Sequence, residues 1–219
     1  MAKVDSKLGF EVHEHLKAKG LENPIVWDNV RAEGREDNIG EIMGHFCQHL
    51  GLSSEDPSTC GTPHRLAKMY VNEICWGLDY NKFPHAMTTP NEGNKDEIIL
   101  VRKIEVRSLC EHHFMPVVGH AHVAYIPDEK LLGLSKFNRI VDFFARRPQL
   151  QERLGSQVLE SLKYILGTED VAVIIRADHM CVTFRGIQDQ SSDTTTSHMS
   201  GRFLTQPAAR AELMSLIKD

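Results

Sequence analysis

The chain has 219 residues, of which 41% are hydrophobic and 25% charged, with a formal net charge of -5. That length buries a core without disulfides or structural metals, and the acidic balance excludes bulk nucleic-acid binding, which needs a basic surplus against phosphates. The opening MAKVDSKLGFEVHEHL lacks the apolar run and cleavage pattern of a secretory signal. No later stretch reaches the ~18–20 apolar residues of a membrane span, so no membrane partner is expected. Five scattered cysteines, an odd number, fit a reducing cytoplasm better than a disulfide framework.

Residues 6–19 read as a helix, with Leu8, Val12 and Leu16 on one face and Gly20 as its stop. After a polar connector over 21–36, a second helix fits 38–51, where Ile42, Met43, Phe46 and Leu50 form an apolar stripe. Thr62-Pro63 is a start signal, a hydroxyl cap before a first-turn proline, for a helix over 63–77 carrying Leu66, Met69, Tyr70 and Ile74 inward. A turn-rich stretch over 84–95 follows. Residues 97–107 and 117–126 then read as strands, 135–146 and 148–166 as helices, and 170–177 and 180–187 as a further pair of strands. Leu150, Leu154, Val158, Leu162 and Ile165 keep helical register. The tract at 188–201 is loop-like, although Thr-rich stretches also pair as strands, and a short helix closes the chain over 207–217. The order is that of an α+β fold rather than strict βαβ alternation, with an N-terminal helical region, 1–95, and a mixed strand-and-helix domain, 96–219.

The densest chemistry is Cys110-Glu111-His112-His113, just after a predicted strand, and His179-Met180-Cys181, at or near the start of another. Thiolate and imidazole are preferred zinc ligands, and two cysteines with one histidine leave a fourth tetrahedral position open, as catalytic sites do. Strand alternation would pair Cys110 with His112, whereas a tight turn would pair it with His113. The residues alone leave both open. Ser135, Lys136 and Arg139 sit on the first turns of a predicted helix, where amide groups favour anions. Arg65 and Lys68 lie three apart on the helix opened at Thr62, and Arg185 follows Cys181 at the same-face spacing of a strand. Each alone reads as a solvated charge, and only convergence in space would make them a phosphate site. Glu152 lies off the apolar face of its helix. A carboxylate there suits the N1–H and 2-amino group of guanine, although a plain surface role is the commoner one.

The stretches SLCEHHF, HVAYIP (122–127), GLSKFNRIV (133–141), ARRPQLQERL (145–154) and HMCVTFRG (179–186), with TPHRLAKMY (62–70), resemble the zinc-dependent GTP cyclohydrolase I family, in order, over about 38–205. The resemblance implies hydrolysis of GTP to formate and 7,8-dihydroneopterin triphosphate, the first step toward tetrahydrofolate and other pterins. It implies Zn2+ on Cys110, His113 and Cys181, proton transfer by His112 and His179, and guanine held by Glu152 helped by Gln151. Arg65, Lys68, Ser135, Lys136, Arg139 and Arg185 match positions around the triphosphate and ribose. It further implies a tunnelling fold, with antiparallel sheets closed into a barrel by oligomerisation and helices outside, and a homodecamer built as a dimer of pentamers. His120 departs from the family pattern, standing where a lysine is expected. A nucleobase deaminase would need H-x-E with P-C-x-x-C, and the chain has no P-C-x-x-C.

Overall fold

A computed structural model describes residues 3–218. Three helices open the chain: α1 (Ser6–Ala18), α2 (Trp27–Arg31) and α3 (Arg35–His49). Asp5 caps α1, its Oδ1 accepting from the Leu8 amide at 3.0 Å. α4 (Thr62–Lys68) begins differently from the sequence expectation. Gly61 occupies the cap position, and the Thr62 hydroxyl accepts from Arg65 Nη2 at 3.1 Å instead of capping the helix. The expected helix over 63–77 also stops being α-helical at Lys68 and continues as a π-helical turn over Met69–Ile74.

The strands are β1 (Thr88–Pro90), β2 (Ile99–Cys110), β3 (Pro116–Tyr125) and β4 (Lys130–Leu132). They are followed by α5 (Ser135–Ala145), β5 (Pro148–Gln149), α6 (Gln151–Leu166) and β6 (Val171–His179), then α7 (Met180–Thr183), β7 (Thr194–Met199), α8 (Gly201–Thr205) and α9 (Pro207–Lys218). The main sheet has the order β5-β2-β3-β6-β7. It is antiparallel except where β5 runs parallel to the end of β2, pairing Leu109 with Pro148 and Cys110 with Gln149. The mixed sheet with helices on it is the expected α+β class.

Two further sequence expectations are corrected, and one left open is decided. Residues 148–150 precede α6 because Pro148, which has no N–H, enters as the short strand β5. Residues 180–187 are no strand: the chain leaves the sheet after His179 in the single helical turn α7. The Thr-rich part of 188–201 pairs with β6 as an edge strand, Thr196 opposite Ile175.

Alternation fills one face of the sheet with Ile104, Val106, Ala121, Val123, Val173 and Ile175, which pack against Phe137, Ile140, Phe144, Leu154 and Val158 of α5 and α6. α1 adds Val12 and Leu16 to this core. α8 and α9 cover part of the other face with Phe203 and Leu213, against Ala124, Ala172 and Ile174. Arg147, 0% exposed, joins the two halves of the chain. Its guanidinium reaches Glu22, Asn23 and the Gly77 carbonyl and lies about 5 Å from the Tyr80, Phe143 and Phe144 rings. Glu22 in turn accepts from the Tyr80 hydroxyl and sits against His13 Nδ1, each at 2.6 Å. Burial pushes the Tyr80 phenol well above its ordinary value, so it stays a donor.

Candidate metal centre

The turn after β2 decides which histidine meets Cys110. The Cys110 amide donates to the Met115 carbonyl at 2.8 Å, and the Cys110 carbonyl accepts from the Phe114 amide at 2.9 Å. Phe114 takes a left-handed φ of 54° to close this loop. The loop curls His113 back over the strand end, so strand alternation no longer applies there. On the neighbouring strand, β6 delivers His179 opposite Val117, and the turn of α7 brings Cys181 in beside Cys110, Val117 and Ala177.

The candidate ligand atoms of Cys110, His113 and Cys181 all lie within 4.8 Å of one another. Two sulfurs and one imidazole nitrogen are a donor set that suits zinc with one position open. Burial raises the Cys181 thiol above its ordinary value, and the adjoining Cys110 adds to this. A divalent cation reverses such a penalty, because it stabilises both thiolates. His112 stays outside the trio, its Nδ1 4.0 Å from Cys110 Sγ.

The first turn of α6 borders this centre and is fixed by two side chains. Arg153 holds Glu111, the residue after Cys110, through two contacts of 2.6 and 3.3 Å. Gln151, 5% exposed, gives Nε2 to the Ile175 carbonyl at 3.1 Å, the Thr194 carbonyl at 3.0 Å and Thr196 Oγ1 at 3.2 Å. Its Oε1 lies 2.8 Å from His179 Nε2. Glu152, between them, is exposed. Burial pushes the His179 imidazole below its ordinary value, while the charges of Glu152 and Asp178 pull it upward.

The cationic residues fall into three places. Arg185 lies in the bend just beyond α7 and its C-cap Phe184, and its Nη1 comes 3.1 Å from His113 Nε2. Arg65 donates to the Ser58 carbonyl at 3.0 Å, and Lys68 is exposed. Their helix leads into Tyr70, whose ring meets Phe114 of the metal turn edge-on at 6.3 Å. Ser135, Lys136 and Arg139 lie elsewhere. Arg139 lines a groove of about 360 Å³ with Lys103, Arg107, Asp142 and Arg146. The far end of α5 hands the chain through Arg147 to β5, beside Cys110. Eleven helical residues span about 16 Å, so the Ser135 end of α5 is carried that far from the metal end.

The Glu111–Arg153 pair and the two threonines behind Gln151 carried no signal beyond ordinary polar residues. Alternation within TTT could have nominated Thr194 and Thr196 as one face of a strand.

The sequence profile of GTP cyclohydrolase I matches residues 39–218. GTP cyclohydrolase 1 of Aeromonas salmonicida (strain A449) is 50% identical over 207 residues, covering 94% of this chain and 95% of that protein. The protein of the same name from Aeromonas hydrophila gives the same identity and coverage. That of Tolumonas auensis is 47% identical over 210 residues, covering 96% and 97% of the two chains. With a matching profile over most of its length and relatives of this identity across nearly all of it, the chain belongs to the GTP cyclohydrolase I family.

Proposed function

We propose that the chain hydrolyses GTP to formate and 7,8-dihydroneopterin triphosphate, the first step toward tetrahydrofolate and other pterins, using Zn2+ on Cys110, His113 and Cys181. The observation that carries this is the open Cys/His/Cys trio in a chain of this family. Zinc held there supplies Lewis acidity that makes water a nucleophile near neutral pH.

The remaining chemistry belongs to side chains. The exposed Glu152 accepts the N1–H and 2-amino group of guanine side by side, and the buried Gln151 helps by holding that helical turn on the sheet rather than by touching the base. Water adds at C8 of the imidazole ring as a proton is delivered to N7, a second hydrolysis releases formate, and the freed amine closes onto the opened, rearranged ribose with loss of one water to form the pterin. His112 and His179 share these proton transfers, since an imidazole gives and takes protons at working pH. The triphosphate does not react. Arg65, Lys68, Ser135, Lys136, Arg139 and Arg185 position it, which removes orientational freedom before the chemistry.

We infer that the chain works as a homo-oligomer, the family resemblance suggesting a decamer whose sheets close a barrel. Two observations support assembly. Ser135 and Lys136 open α5, at the end of the helix away from its hand-over to β5 and Cys110, which favours their serving a neighbouring copy's site. The stripe on α3 is also uncovered, with Ile42 63%, Phe46 56% and Leu50 64% exposed. No helix among the described residues is long and apolar enough to cross a membrane, and a cytoplasmic setting would keep Cys110 and Cys181 reduced.

Incubation with GTP and zinc should release formate and leave a pterin that fluoresces after oxidation. The absence of both from a metal-replete preparation rejects the reading. Cys110→Ser should lose zinc and turnover together, whereas His179→Ala should keep zinc and lose turnover.

A further inference from the structure

We propose that Gln151 is a positioning residue that fixes which nitrogen of His179 carries the proton, leaving Nδ1 as the atom that exchanges protons with substrate. This deepens the functional reading above and rests on it for the role of His179.

The argument starts from what each partner is able to do. A primary amide has one end that donates and one that accepts. The end of Gln151 that faces the sheet meets two backbone carbonyls, Ile175 O at 3.1 Å and Thr194 O at 3.0 Å. Carbonyl oxygens only accept, so that end is the NH2 group. The Thr196 hydroxyl at 3.2 Å is compatible with it, because a hydroxyl accepts as readily as it donates. Reversing the amide would set its oxygen against two other oxygens in a buried place, where an unmet polar group is costly.

With the amide so fixed, Oε1 is the atom 2.8 Å from His179 Nε2. Oε1 has no hydrogen to give, so Nε2 must supply one. The neutral ring is therefore the Nε2–H tautomer, and its lone pair lies on Nδ1. Among the described residues no hydrogen bond is made to Nδ1. A proton leaving the substrate or its attacking water binds at Nδ1 and later returns from Nδ1, while the Nε2 hydrogen stays on Gln151 throughout. Gln151 itself undergoes no net change.

The anchors come from regular structure rather than from a loop. His179 and Ile175 share one face of β6, Thr194 and Thr196 share one face of β7, and Gln151 opens α6 above them. Such an arrangement orients an imidazole as a second-layer carboxylate does in other proton-transfer sites. It does so without placing another negative charge beside Glu152. It also separates two neighbours in sequence: Glu152 faces outward for the base, whereas Gln151 is turned inward and committed to the protein.

The deciding measurement needs no variant. Neutron diffraction on deuterium-exchanged crystals of the zinc-loaded protein, at about pH 8.5 where an ordinary imidazole of pKa ~6.5 is neutral, should show deuterium on His179 Nε2 and none on Nδ1. Deuterium on Nδ1 alone overturns the proposal. Gln151→Met, similar in length and unable to accept strongly, should lower kcat about 10- to 100-fold, with zinc content and the KM for GTP essentially unchanged. A raised KM with intact kcat would instead make Gln151 a guanine contact, and unchanged kinetics in a folded, zinc-loaded variant would leave it without a role. Full turnover in His179→Ala would remove His179 from the reaction, and the deuterium map would still decide the tautomer.

Discussion

α1 and α3 carry the same kind of sequence signal and meet opposite fates. Each is an amphipathic helix near the N-terminus, with apolar residues at helical spacing. α1 sinks Val12 and Leu16 fully into the core, is capped by Asp5, and lies beside the Glu22–Tyr80–Arg147 network. α3 packs mainly on α4, starts at Gly34 with no side-chain cap, and leaves Ile42, Phe46 and Leu50 in the open. Apolar periodicity therefore locates a helix face and is silent on whether its own chain buries it. The distinguishing information lies in the surroundings: α1 has caps and buried polar partners within the chain, and α3 has few of either.

The strongest way to break the contrast is to remove what anchors the α1 side. Arg147→Ala leaves Glu22 buried beside Tyr80 without its cation, and it should cost about 3–5 kcal/mol in denaturant unfolding. A loss below ~1 kcal/mol would mean the network is incidental. Next, Leu16→Ala should cost about 2–5 kcal/mol, as buried leucines do. By comparison, Phe46→Ser should change the stability of the isolated chain by no more than about 0.5 kcal/mol while lowering the mass of the proposed assembly in sedimentation. Equal destabilisation by the two substitutions would erase the distinction.

The smallest effect concerns the caps. The Leu8 amide holds the Asp5 carboxyl below its ordinary value of 3.8, with burial opposing and His85 assisting. A carboxylate depressed by folding stabilises above its unfolded pKa, and that contribution disappears as pH falls through the lower folded value. Hydrogen exchange in the first turn of α1 should therefore quicken on acidification below ~3.8, with no matching step in α3. Asp5→Ala should cost about 0.5–2 kcal/mol at neutral pH, and Asp5→Asn should keep most of that cap while abolishing the acid-side step.

Much of the architecture was legible because periodicity and burial coincide. The register of Leu154, Val158, Leu162 and Ile165 located α6, and the Val- and Ile-rich runs located β2, β3 and β6. Elsewhere local chemistry misled. Val182, Thr183 and Phe184 have β-propensity, but the chain turns helically at Met180 and carries Cys181 toward Cys110. β7 is polar because it is an edge strand, half of whose residues face water, so its composition suited a loop as well as the strand that a Thr-rich stretch also allows. At the candidate metal centre the residue types suggested a metal site, while the grouping of His113 rather than His112 with Cys110 and Cys181 depends on the turn that Phe114 closes. Gln151 entered only through the family resemblance, as a helper of Glu152, and its burial against β6 and β7 had no signal in the sequence. Arg147 gave little sign of burial, although its spacing from Phe143 and Phe144 places it on their face.

β2 spans twelve residues, and on the side away from β3 it is paired only at its last two. An unpaired strand edge of that length is a template for indiscriminate sheet growth. Here the edge carries Arg102, Lys103, Glu105 and Arg107, and a register shift falls between Val101 and Ile104, where Lys103 takes a left-handed φ of 56°. Charges and a kink reject a flat apolar strand and admit one that matches both. The exposed edge thus discourages newly made chains from sticking to one another through β2.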